Sequence, residues 1–224
     1  MKASGASAAT SKPSSNAESN ATPAAVPRSA ASTKEKKVKA KAKKAPADSQ
    51  KADLPKEAKE EPTVDYLDIR VGKILEVGPH PDADALYVEK IELGEAEPRT
   101  VVSGLRKFVS EDDMMNRMVA VVCNLKPAKM RGILSTGMVL CASNDDHTSV
   151  DPILIPEGST IGSRIMVEGF DKAPMDQINP KKKIFERIAP DMVVSSSGVC
   201  EYRGSKFVTD AGTCTATIPG AHIA

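Results

Sequence analysis

Apolar side chains recur at every second position from residue 67 onward. Leu67, Ile69 and Val71 alternate with Asp68 and Arg70, and Ile74, Leu75 and Val77 continue the run beyond Gly72. A period of two marks a half-buried strand, and a glycine inside it suggests a bulge or a bend. Leu86–Leu93 and Arg99–Ser103 read as a second and a third strand. Residues 104–116 are polar with scattered apolar positions and predict a short helix or an irregular loop. Met118–Leu125 is nearly continuously apolar, the pattern of a strand covered on both faces. Lys126–Gly132 predicts a turn and Gly137–Ala142 a fifth strand. Five short strands with a helical interruption before the fourth is the order of the oligonucleotide/oligosaccharide-binding (OB) barrel.

Beyond residue 152 the pattern changes. Short strand-like pieces at Ile153–Ile155, Arg164–Val167, Lys206–Val208 and Thr213–Ile218 alternate with Gly- and Pro-containing loops, and Lys181–Ile188 predicts a short helix. The expected fold is therefore mainly β: an OB barrel over 63–165, then a smaller, mostly β extension over 166–224 packed on it. Residues 1–62 are Ala-, Ser-, Pro- and Lys-rich and lack aromatics. Such a segment cannot bury enough apolar surface to offset the entropy of ordering it, which predicts a disordered basic arm and linker.

Charge divides along the same boundary. Of 31 Lys/Arg and 30 Asp/Glu, 13 and 7 fall in residues 1–62, a net of +6 there and −5 over residues 63–224. Lys34, Lys36, Lys37, Lys39, Lys41, Lys43 and Lys44 concentrate the arm's charge. Within the acidic remainder, residues 114–144 hold no acid but carry Arg117, Lys126, Lys129 and Arg131. The last three lie in Asn124–Gly132 (NLKPAKMRG), where Pro127 blocks a helix and a constrained turn displays the cations. Cations spaced along such a turn suit phosphates spaced along a nucleic-acid backbone. Arg106 and Lys107 form a second basic pair, and Lys181, Lys182 and Lys183 a third cluster. The chain has three Tyr, four Phe and no Trp. That is few for stacking a single strand once a core is filled, and it favours a structured RNA read by shape and backbone.

Catalytic signatures are missing. No phosphate-binding glycine loop, nucleophile elbow or CxxC pair occurs, so neither an enzyme nor a resident cofactor is expected. His80-Pro-Asp82-Ala-Asp84 offers three potential ligands, but Pro81 and the two aspartates fit a structural turn better than a metal site. Cys123 and Cys141 lie in apolar runs. Cys200 and Cys214 flank a candidate hairpin, which leaves a disulfide open beside the favoured reading of reduced thiols. No run approaches the ~18 apolar residues of a membrane span, and a cytoplasmic protein is expected. The Ala/Ser-rich start also leaves a transit peptide open, although it lacks the arginines such peptides favour.

Five motifs together resemble a known family: Val64–Lys73 (VDYLDIRVGK), His80–Tyr87 (HPDADALY), Arg99–Leu105 (RTVVSGL), Asn124–Gly132 (NLKPAKMRG) and Asn179–Ile184 (NPKKKI). They are similar to the tRNA-binding domain of the endothelial monocyte-activating polypeptide II family, which also occurs in aminoacyl-tRNA synthetase cofactors and at the ends of some methionyl- and tyrosyl-tRNA synthetases. The resemblance implies an OB barrel whose extension lets it act as a monomer. It also implies structure-dependent tRNA binding without catalysis, and partners among the aminoacyl-tRNA synthetases, with no membrane and no small-molecule substrate. Carried onto this chain, the implied tRNA-binding residues are Lys73, Arg106, Lys107, Asn124, Lys126, Lys129, Arg131 and Ser135, with the arm lysines and Lys181–Lys183 as auxiliaries. The cytokine form in the family implies an alternative, a signalling polypeptide released by cleavage in the 45–62 linker. The heptapeptide Arg70–Glu76, aligned with that form's signalling segment, differs from it in its last positions.

Overall fold

Ile69 to His80 form one strand, β1, whose pairing with strands on both sides organises the domain. The computed structural model describes residues 61–224. The arm and most of the linker (1–60) lie outside the described residues. β1 (Ile69–His80) pairs antiparallel with β2 (Ala83–Glu92), and β2 pairs with β3 (Arg99–Ser103). A short helix, α1 (Glu111–Met114), follows, capped by Ser110, whose Oγ accepts from the Asp113 N–H at 3.2 Å. β4 (Met118–Val122) returns along the other edge of β1. β5 (Ala128–Met130) and β6 (Ile133–Ser135) pair with each other, and β7 (Met138–Val139) pairs with β4.

Among the described residues the first sheet runs β3-β2-β1-β4-β7. Its two ends are joined. The Thr136 N–H donates to Thr100 O at 2.9 Å, and Ser135 Oγ accepts from the Val102 N–H at 3.0 Å. These bonds link the segment leading into β7 back to β3, the arrangement expected of the OB barrel.

β7 leads past Leu140 into β8 (Cys141–Ser143), which belongs to the second sheet. There it meets β9 (Val150–Pro152), β10 (Met166–Val167), β11 (Met192–Val194), β12 (Cys200–Tyr202), β13 (Ser205–Val208) and β14 (His222–Ile223), in the order β10-β13-β12-β11-β14-β8-β9. The predicted helix over 181–188 is divided. A 3-10 turn at Pro180–Lys182 is followed by Lys183 in the left-handed region (φ 48°), and only then by α2 (Ile184–Ile188). The first strand starts at Ile69, two residues after the alternation begins at Leu67. Val64–Tyr66 form a 3-10 turn, closed by the Leu67 N–H donating to Val64 O at 3.0 Å.

Both faces of β1 and β4 are covered, as the continuous apolar run over 118–125 implied. Ile74, Val119, Val121 and Cys123 point into the barrel with Tyr87, Ile91 and Val101. Ile69, Val71, Ala120 and Val122 point the other way, against Ile153, Tyr202, Phe207 and Ile223. Burying each large apolar side chain contributes roughly 1.5–3 kcal/mol. At Gly72, read as a bulge or a bend, the ladder to β4 keeps its register and no bulge forms. A Cβ there would meet Ile91 Cγ2 at 2.7 Å, so the glycine leaves room for the Ile91 side chain of β2, and the register shift falls between Ile74 and Glu76. All four cysteines are free and buried. Desolvation raises each thiol to about 12, which makes them core residues and poor nucleophiles.

One polar side chain ties the two cores together. Asn124 is buried, and its Oδ1 accepts from the Asp68 N–H at 3.0 Å. Its Nδ2 donates to Tyr66 O and to Met175 O, both at 2.8 Å. Asn124→Ala leaves one buried and two part-buried backbone groups without this partner, and a loss of about 3 kcal/mol is expected in denaturant unfolding. A loss below about 1 kcal/mol contradicts that role.

A second polar side chain lies inside the barrel itself. Glu89 is fully buried on the face shared by Tyr87 and Ile91, and it accepts a hydrogen bond from Ser103 Oγ. Desolvation, opposed by that bond, raises its carboxyl from the ordinary 4.5 to about 7. Between those values the folded chain holds a proton that the unfolded chain releases, so stability falls as pH rises and levels off above pH 7. Glu89→Gln is expected to remove this slope and to be roughly 3 kcal/mol more stable than the parent at pH 8, with no such gain at pH 4. Parallel stability curves for the two proteins contradict the assignment.

Candidate nucleic-acid interface

The segment 124–136 leaves the barrel and returns to it, and several bonds fix where it stands. Arg99 holds its base: Nη1 donates to Cys123 O at 2.8 Å and to Thr136 O at 3.1 Å. Glu95 orients Arg99 through two bonds, of 2.7 Å to Nε and 2.6 Å to Nη2. Between these anchors Ala128–Met130 and Ile133–Ser135 form a hairpin rather than the simple turn the sequence suggests. Its two-residue loop is Arg131 (φ 45°) and Gly132 (φ 98°). Positive φ at both central positions is the type I′ geometry whose twist suits a tight hairpin.

Each strand of the hairpin is pinned to a neighbour. His80 is buried; its Nδ1 accepts from the Asp82 N–H at 3.0 Å, which leaves Nε2–H to donate to Met130 O at 3.2 Å. His80 thereby clamps the β1–β2 turn to β5. On the β6 side, buried Ser135 accepts from Val102 and donates to Gly137 O at 3.0 Å. The structure therefore gives two of the implied tRNA-binding residues, Asn124 and Ser135, internal partners, and neither presents its side chain at the surface.

The cations on the hairpin are presented. Lys126, Lys129 and Arg131 are exposed. Most arginines elsewhere in the domain are neutralised: Arg70 by Asp68 at 2.9 Å, Arg99 by Glu95 at 2.6 Å, Arg117 by Asp151 at 2.9 Å and Arg203 by Asp191 at 2.7 Å. Among the described residues Lys107, Lys126, Lys129 and Arg131 have no carboxylate within ion-pair distance. Arg106 has only a loose contact with Asp84, at 3.9 Å. Arg117, counted among the cations of the acid-free stretch, is committed to Asp151 and to Pro152 O and is not part of the surface.

A groove of about 530 Å³ brings two of the basic segments together. Ser103–Leu105 and Phe108 form one wall; Leu125, Lys126, Ala128 and Met130 form another. Arg106 and Lys107 thus stand on the turn facing the hairpin. The Ile178 N–H donates to Asn124 O at 2.8 Å, and the Lys181–Lys183 run begins three residues further along the chain. Lys73 stands apart, half-buried in the middle of β1 opposite Glu92 and Met118. Lys34, Lys36, Lys37, Lys39, Lys41, Lys43 and Lys44 lie outside the described residues.

Sequence reasoning missed Arg99 and Glu89. Glu89 had a signal, an acid in phase with Tyr87, Ile91 and Leu93 on the apolar side of β2. Arg99 had only its spacing of four from Glu95 within a turn.

The chain is similar to known proteins. Residues 69–164 match the family model described as "Putative tRNA binding domain". Over 154 residues the chain is 51% identical to the aminoacyl tRNA synthase complex-interacting multifunctional protein 1 of Cricetulus griseus, a match covering 68% of this chain and 42% of that protein. It is 48% identical over 160 residues to the cytoplasmic tyrosine–tRNA ligase of Danio rerio, covering 70% and 30%. It is 49% identical over 157 residues to the cytoplasmic methionine–tRNA ligase of Arabidopsis thaliana, covering 70% and 20%. The chain thus spans less than half the length of each of these relatives. Its fold is similar to the crystal structure of the C-terminal domain of Plasmodium vivax p43, with a TM-score of 0.69 and 35% identity, covering 72% of this chain and 98% of that one. With its motifs, its barrel and these relatives in agreement, the chain belongs to the tRNA-binding domain family of the endothelial monocyte-activating polypeptide II type.

Proposed function

We propose that this protein binds tRNA without catalysing a reaction on it, and that it serves as a cofactor delivering tRNA to an aminoacyl-tRNA synthetase. One observation carries the binding: Lys126, Lys129 and Arg131 are unpaired and exposed on a hairpin pinned by His80, Ser135 and Arg99. Fixed cations meet phosphates without first losing the freedom of a floppy loop, so more of the counterion-release free energy appears as affinity. They contact the backbone and not the base edges, which gives tolerance of sequence and selectivity by shape.

In this reading Arg106, Lys107 and Lys181–Lys183 extend the cationic track on either side of the hairpin. The arm lysines 34–44 add a sequence-independent electrostatic contribution. Residues 63–165 carry the interface, and residues 166–224 brace the barrel behind it. Asn124 and Ser135 act on RNA only through the loop they hold. The names of the relatives support a synthetase as partner, and with it a cytoplasmic setting and a monomer or a member of a synthetase complex.

Filter binding of tRNA across a salt series tests the interface. The parent is expected to show a linear fall of log affinity with log salt. Replacing Lys126, Lys129 and Arg131 by Ala is expected to flatten that slope by about 2–3 and to weaken binding across tRNA species alike. An unchanged slope and affinity rule the hairpin out.

A further inference from the structure

The groove beside the hairpin has a chemistry that phosphate contacts leave unused. Its volume is about 530 Å³, and Phe108, Leu125, Met130 and Met138 give it apolar walls. Cations flank it in the chain: Lys126 lines it directly, Lys129 and Arg131 follow on the same hairpin, and Arg106 and Lys107 immediately precede Phe108; His147 and Ala224 line it too. An occupant that matches this has a flat apolar body with negative charge on both sides. A nucleotide within an RNA strand has that form, with its base between two phosphates. We propose that the groove receives one unpaired, unstacked base of the bound RNA, with Phe108 as its stacking platform. The proposal rests on the RNA-binding reading above and names the part of the RNA that it engages.

Phe108 is suited to the task by its fixed exposure. It is 40% exposed, whereas Tyr87, Tyr202 and Phe207 are buried in the two cores. Its backbone is held on a tight turn, with the N–H groups of Phe108 and Val109 both donating to Leu105 O, at 2.9 and 3.0 Å. Leu105 and Val109 on either side are buried, and Tyr87 Oη donates to Val109 O at 3.1 Å. The ring thus stands on a turn that stays ordered without RNA, and stacking a base on it costs little further ordering. One such platform suits a single base extruded from a folded RNA. It is too little to bind a strand by stacking successive bases, in keeping with the scarcity of aromatics in the sequence. A regular duplex cannot use it, because its base faces are already stacked.

The test compares the full-length parent with F108A, F108W and the Lys126/Lys129/Arg131 triple-alanine protein, using unfractionated tRNA in filter binding at several salt concentrations. Thermal unfolding establishes that each variant is folded. F108A is expected to bind about tenfold more weakly while keeping the parent's log–log salt slope, because it removes stacking and no charge. F108W is expected to restore binding. If F108A matches the parent while the triple variant loses slope, the base site is overturned and the phosphate reading stands. If the triple variant also matches the parent, both fall. If F108A instead abolishes a dimer that the parent forms in sedimentation, the groove is a self-association surface and the proposal is overturned.

Discussion

The Asn124 side-chain amide joins three segments that are remote in sequence. It accepts from Asp68 at the start of the barrel, and it donates to Tyr66 in the turn before it and to Met175 in the extension. Losing the amide removes a partner from all three at once: the Asp68 N–H is buried, the two carbonyls are part-buried, and Tyr66 O keeps only its bond from the Met175 N–H at 3.2 Å. The consequence reaches the surface. Asn124 fixes the point at which the chain leaves β4, and Lys126 follows two residues later. Arg99 then ties Cys123 to Thr136 across the base of the excursion, and His80 and Ser135 hold its two strands. A buried polar network thereby becomes a rigid display of three cations. The interface residues themselves need no internal partner, and that leaves them available.

Net charge is a poor guide to this surface. Residues 63–224 carry a net of −5, yet acids and bases are segregated. Arg70, Arg99, Arg117 and Arg203 each meet an aspartate or glutamate, while the hairpin lies in an acid-free stretch and its cations stay unpaired. What a polyanion meets is local potential on a low-dielectric wall, and local segregation creates it whatever the total charge.

Much of this was legible in the sequence. Period-two alternation located the first strand, and the apolar runs after it located the second and third, although β1 is covered on both faces. The run over 118–125 was read as a strand covered on both faces; the strand is covered so but ends at Val122. The hairpin was less legible: β5 and β6 are three residues each, too short for alternation, and a Pro beside lysines reads as a turn. Gly72 was legible as special but not as the space for a neighbour's side chain, since the close approach of Ile91 depends on a partner strand. The extension's strands, two to four residues long after residue 165, were mostly invisible, for they are set by pairing with β8 and by a shared core. In the candidate site, Lys126, Lys129 and Arg131 were legible as exposed cations because Lys and Arg are seldom buried unpaired. Asn124 and Ser135 were not legible as structural. A polar residue beside a basic cluster looks the same in sequence whether it faces a ligand or a backbone carbonyl.

The central claim is that RNA meets the pinned hairpin and the groove wall facing it. Amide hydrogen exchange on the full chain, with and without saturating tRNA, tests this most directly. The account predicts new protection concentrated in residues 104–109 and 125–135, with the seven-stranded sheet unchanged. Protection confined to residues 192–223, with the hairpin exchanging as in the free protein, would contradict it.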